Sequence, residues 1–274
     1  MIRSGVPKSV VSTRLGRIRN APEHRRGCIL QIRSTGWWAI GGFALLLFGC
    51  VTTPIRHDYE LSPGQAFSQS RSRALLIPIN ETEEVPDGLE VGEENVFEQL
   101  KSYLESKGLS IETTNSWDYR AAANNAAESV HNEMLSAESS SISGEIEYSS
   151  IVPGLLANLD SDADLLILAN MVIRIGESKG GRTTHWDGVK RRLAVPARMR
   201  MTGTESVASI FVTIYHRDGT AVFRGYGGLD LLFAPNFDEE KFELIPDRLQ
   251  DIEHIREGIC VAFYPYFGKE EVCR

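Results

Sequence analysis

The sequence predicts an α/β (α+β) fold, a mixed β-sheet covered by helices in the order β-α-β-α-β-β-β-α, behind an amino-terminal segment of different character. Three observations predict it. Between residues 74 and 175, short apolar runs that suit strands alternate with stretches of helical period. The last third switches to strict alternation around an Asp-Gly turn and closes on an amphipathic helix. Of 274 residues, 42% are apolar and 24% charged, enough to bury a core and too charged for a polytopic membrane protein.

Each element has its own signal. Ala74-Leu75-Leu76-Ile77-Pro78-Ile79 is a continuous apolar run that reads as a buried strand, with Pro78 near its end or at a bulge. Residues 93–107 place Val96, Phe97, Leu100, Tyr103 and Leu104 on one helical face, and Gly108 supplies the stop. Leu109 to Thr113 reads as the second strand. Ala122, Ala126, Val130 and Met134 recur every four residues and mark a second helix, after which Ser136–Ser150 reads as an exposed loop. A short helix through Leu155, Leu156 and Leu159 leads to the strand Leu165–Ile175. Val207 to Tyr215 alternates as a long strand, Arg217-Asp218-Gly219-Thr220 turns, and Ala221–Tyr226 returns beside it. Residues 247–264 form the last helix, with Leu249, Ile252, Ile255, Ile259, Ala262 and Phe263 inward. Residues 74–268 are thus read as one domain and 269–274 as a tail. Residues 50–73, with Pro54, Pro63 and Gly64 and no sustained period, are read as a flexible tether.

The charge is divided along the chain. Residues 1–36 carry eight Lys/Arg and one acid, residues 37–49 carry no charge, and from Cys50 onward 21 bases face 36 acids. A basic lead followed by the short apolar run Trp37–Gly49 reads as a secretory signal over residues 1–49, too short to span a bilayer as a helix. The run ends on Leu47-Phe48-Gly49-Cys50, which resembles the lipobox of bacterial lipoproteins. That resemblance implies cleavage between Gly49 and Cys50, a diacylglyceryl group on the Cys50 sulfur, and a membrane lipid as the first partner. Phe48 is bulkier than the residue usual there. Val51 after the cysteine, where that family's inner-membrane members carry Asp, implies the outer membrane, with the domain facing the periplasm.

The order of elements, with Asp162-Ala163-Asp164 before the central strand and Asp218-Gly219-Thr220 in the late hairpin, is similar to a recurring periplasmic α/β domain. TolB amino-terminal domains, curli-secretion lipoproteins and the lipoprotein activators of penicillin-binding proteins share it. The resemblance covers roughly residues 74–265 as architecture and carries over no functional residue beyond Cys50. It implies an accessory or scaffold subunit of a cell-envelope complex that works by protein–protein contact and is not an enzyme. Small-molecule or glycan binding is the second reading and hydrolysis the third. Homo-oligomerisation stays open.

The residues themselves show little chemistry. Gly176 to Thr183 nearly spells a phosphate loop, but Arg182 stands where Lys is needed, so it reads as a glycine-rich connection. Asp160, Asp162 and Asp164 lack the Gly and Glu that a calcium loop requires. His185 and Asp187 flank Trp186 without an accompanying nucleophile. The scattered histidines and the lack of a Cys-x-x-Cys point to no metal and no cofactor. Cys260 and Cys273 would close a short loop if bonded; the alternative is a buried thiol at 260 and a frayed tail. Tyr264, Tyr266 and Phe267 read as core or as an aromatic contact patch.

Between Arg174 and Arg200 stand eight bases and two acids. An exported acidic chain argues against nucleic acid as the partner. The run reads either as an intramolecular partner for surplus acids or as a docking loop for an anionic surface or partner protein. In the second reading Arg182, Lys190, Arg191 and Arg192 dock and Trp186 is the anchor.

Overall fold

A computed structural model describes residues 58–62, 72–82, 85–136, 146–196, 198–236, 241–267 and 273. The expected signal segment, Gly49 and Cys50, most of the expected tether and most of the tail lie outside them.

The fold is α/β, with a mixed sheet in the order β1 (Tyr59–Leu61), β8 (Ala221–Leu231), β7 (Met201–His216), β4 (Leu165–Gly181), β2 (Arg73–Leu76), β3 (Ser110–Thr113). Its parallel part is β2, β3 and the start of β4. Its antiparallel part is β4 with β7, β7 with β8, and β8 with β1. Alternation along the strands builds a core on each face. Ala74, Leu76, Leu165, Ile167, Val212 and Ile214 face α1 (Glu93–Ser106) and α4 (Ile252–Ala262). Leu75, Ile77, Leu166 and Leu168 face α2 (Ser116–Ser136) and α3 (Tyr148–Asn158). A near-continuous apolar run such as residues 165–169 is what a strand covered on both faces requires.

The helix ends follow local chemistry. Gly108, at φ +88°, closes α1, where its N–H donates to Glu105 and the N–H of Leu109 to Leu104. Asn115 Oδ1 accepts the N–H of Asp118 at the start of α2. The last helix is shorter than expected: Asp251 caps it, accepting from the N–H groups of Glu253 and His254. Leu249 is buried as expected but sits before the helix, at φ +59°.

Five further differences concern elements. Residues 59–61, read as tether, form β1 on the edge of β8. The strand expected to end at Ile175 runs to Gly181, because its inward positions become Gly176 and Ser178 and its apolar signal fades. Within the basic segment lies a hairpin of β5 (Thr183–Trp186) and β6 (Val189–Arg192). A second hairpin pairs β9 (Phe233–Asn236) with β10 (Lys241–Leu244). Of the serine-rich stretch, residues 148–150 begin α3 and residues 137–145 lie outside the described residues.

Candidate functional site

The basic segment is built from the far end of β4 with β5 and β6. β5 pairs back on β4 through Glu177↔His185 and Ser178↔Thr184, and β6 pairs on β5. Asp187 and Gly188 form the two-residue turn, at φ +34° and +79°. The hairpin curls over the sheet and meets β8, where Gly228 N–H donates to the Asp187 carbonyl at 3.1 Å. A Cβ at Gly228 would stand 2.2 Å from Val189 Cγ2 and 2.6 Å from Trp186 Nε1, so the close approach requires glycine. Trp186, Val189, Leu193, Val207 and Leu231 fill the space beneath as a third apolar cluster.

Alternation then sorts the five expected docking residues between inside and outside. Trp186 is not an exposed anchor: it is 5% exposed, packs in that cluster, and donates from Nε1 to the Ala208 carbonyl at 3.1 Å. Arg191 does not face outward either. It is 4% exposed, and its guanidinium donates to Glu257 at 2.5 Å and to the His254 carbonyl at 3.1 Å. Arg182 is half-buried and donates to the Val195 carbonyl at 2.8 Å. Lys190 and Arg192 point out from β6 and are exposed. Arg191 thus partners an acid within the fold, while Lys190 and Arg192 lie on its surface.

His185 and Asp187 form no dyad. Asp187 is buried and accepts from Arg174 Nε and Nη2, both at 3.1 Å, and from Ser209 Oγ at 2.7 Å. Arg174 also donates to Asp58 at 3.1 Å and lies 4.3 Å above the Tyr226 ring, which stacks on Phe211. Burial works against the charged guanidinium, yet the bonds and charge of Asp187, with Tyr226 and Asp58, raise its pKa above the usual value. His185 faces the other way, opposite Lys190 and Glu177. Burial, then the ammonium groups of Lys190 and Lys179, push its pKa down. In the sequence Arg174 and Asp187 were named separately and their pairing was missed; the Asp187-Gly188 turn was a legible signal for it.

Cys260 and Cys273 are bonded, S–S 2.07 Å with Cα atoms 5.4 Å apart. They wall a groove of about 710 Å³ between α1 and α4, which Tyr103, Lys107, Glu253 and Arg256 also line. Burial raises the Tyr103 hydroxyl well above its usual pKa. A smaller cleft of about 430 Å³ beside β3 is lined by Glu112, Asn115, Asp118, Asn125 and Asn158. Tyr266 is core, and Phe267 packs against it. Asp162 pairs with Arg73 at 3.3 Å, and Asp164 accepts the N–H of Arg73. Among the described residues no group of three or more His, Cys, Asp or Glu could hold a metal, and no helix is long and apolar enough to cross a membrane.

No family model matches the chain, and no curated protein matches it. Two solved structures are similar over much of its length. A PelC dodecamer from Paraburkholderia phytofirmans is 11% identical, over 78% of this chain and all of that one, at a TM-score of 0.32. A homolog of neuraminyllactose-binding hemagglutinin from Helicobacter pylori is 14% identical, over 72% of this chain and 83% of that one, at a TM-score of 0.29. Neither likeness is close enough to carry an argument about fold or function.

Proposed function

We propose that this protein is an outer-membrane lipoprotein, anchored through acylated Cys50, that serves a cell-envelope complex by protein–protein contact from the periplasmic side. The observation that carries the reading is Leu47-Phe48-Gly49-Cys50 at the end of an uncharged run, between a basic lead and an acidic chain. The bonded pair Cys260–Cys273 suits an oxidising compartment. Arg174, Arg182 and Arg191 are taken up by Asp187, the Val195 carbonyl and Glu257, while Lys190 and Arg192 stay exposed, which fits a contact surface better than a reacting centre. Crosslinking mass spectrometry on full-length protein in fractionated membranes tests it. A reproducible envelope partner crosslinked to the domain supports the reading, and recovery of the protein from the soluble fraction contradicts it.

A second reading has one observation in its favour. The groove between α1 and α4 brings Lys107, Arg256 and Glu253 to one concave surface beside Tyr103, as a small-molecule or glycan site would need. A ligand-induced rise in melting temperature, lost in Arg256→Ala, would favour it over the scaffold reading.

A further inference from the structure

The strand register gives the curled β4–β5–β6 arm an outer face as well as a packed inner one. On β4 the inward positions are Gly176 and Ser178, both buried. The outward ones are Ile173, 43% exposed, Ile175, 64% exposed, and then Glu177 and Lys179. On β6 Val189 and Arg191 are inside, while Lys190 and Arg192 are outside. Glu177 stands opposite His185, and His185 opposite Lys190, so these outward side chains share one continuous surface. The downward push that Lys190 and Lys179 give His185 agrees with that adjacency. The acid on this face, Glu177, pairs with Lys179 at 3.0 Å. Lys190 and Arg192 have no ion-pair partner among the described residues.

We infer that this outer face, with Ile173, Ile175, Lys179, Lys190 and Arg192, lies against an anionic phospholipid surface. Three physical arguments select lipid as its occupant. From Cys50 onward 36 acids oppose 21 bases, so an anionic bilayer repels most of the domain and attracts it where bases collect, which orients it. Exposed isoleucines beside long basic side chains suit the interface, where apolar groups sink below the headgroups that the cations meet. The third argument rests on the proposed anchor. The described fold begins at Asp58, whose carboxylate bonds Arg174, the residue between Ile173 and Ile175. Seven residues lie between Cys50 and Asp58, at most about 29 Å of extended chain from one Cα to the other, so a lipid on Cys50 keeps the bilayer within reach of this strand.

The test is amine footprinting of the wild-type full chain purified from membranes. It is reconstituted, or mixed if it carries no lipid, with vesicles of phosphatidylcholine alone or with phosphatidylglycerol added. A membrane-impermeant acylating reagent labels lysines, and labelling is read relative to Lys107, which follows α1 near the opposite end of β4. Lys179 and Lys190 should be labelled roughly fivefold less in the phosphatidylglycerol vesicles, and high salt should erase the difference. The mass of the Cys50 peptide is read from the same sample. Equal labelling in both vesicles with a lipid on Cys50 overturns the face and leaves the anchor. Protection by anionic vesicles with Cys50 unmodified supports the face and removes the anchor. Protection in native membranes but not in phosphatidylglycerol vesicles overturns the lipid assignment and gives the face to a protein partner.

Discussion

Lys190, Arg191 and Arg192 are three consecutive bases, and strand alternation divides them between two environments. Arg191 is buried against Glu257 and the His254 carbonyl, so truncation leaves a half-buried carboxylate and a buried carbonyl without their donor. Arg191→Ala should cost roughly 2–3 kcal/mol in denaturant unfolding, at the lower end for a buried pair because Glu257 is partly solvated. Lys190→Ala and Arg192→Ala should each stay within about 0.5 kcal/mol of the parent. The tyrosines predict an alkaline limit. Burial pushes Tyr119 and Tyr266 up to about 12, above the usual 10, so the native state holds their protons longer than the unfolded chain does. Their contribution is complete below pH 10 and is lost as the pH rises through about 12. Melting temperatures should therefore fall over that interval, with the last tyrosinate absorbance appearing together with unfolding. Early, complete tyrosine ionisation in still-folded protein would contradict this packing.

At the scale of elements, the contact between α4 and β8 depends on missing side chains. A Cβ on Gly227 would lie 1.9 Å from the Gly258 carbonyl, and one on Gly225 2.2 Å from the Ala262 carbonyl. Backbone cannot yield as a side-chain tip can, so Gly227→Ala should cost about 3 kcal/mol or prevent folding, while Gly108→Ala meets no atom and pays mainly for its left-handed φ. The Cys260–Cys273 bond ties the end of this helix to the chain beyond Pro265. Its loop is short, so reduction should lower stability by about 2–3 kcal/mol, read as a drop in melting temperature that the Cys260→Ser/Cys273→Ser variant reproduces. The long elements were legible because each has a period that a single covered face imposes, as Val96, Leu100 and Leu104 do on α1. The β5–β6 hairpin was hidden because on β6 the inward Arg191 stands between the outward Lys190 and Arg192, three bases in a row that mask alternation by hydropathy. Asp187-Gly188 was the one local signal that could have found it. β1 escaped because three exposed residues leave no periodic trace.

At the scale of the molecule, the charge split and the four residues ending at Cys50 say more about address than the domain says about activity. The candidate surface was legible as a run of bases but not as a surface. Which of eight bases face solvent depends on register, and the pairing of β4, β5 and β6 fixes that only in three dimensions. Trp186 shows the limit most clearly: a tryptophan among bases has the composition of a docking anchor, while its indole N–H is held by the Ala208 carbonyl inside the fold. The proposed anchor, on which the lipid-facing surface also draws, is Cys50. The most direct measurement is therefore the intact mass of the amino-terminal peptide from protein extracted from membranes. The account predicts a peptide that begins at Cys50 and carries a diacylglyceryl group. A peptide that begins upstream of Cys50, or an unmodified Cys50, would contradict it.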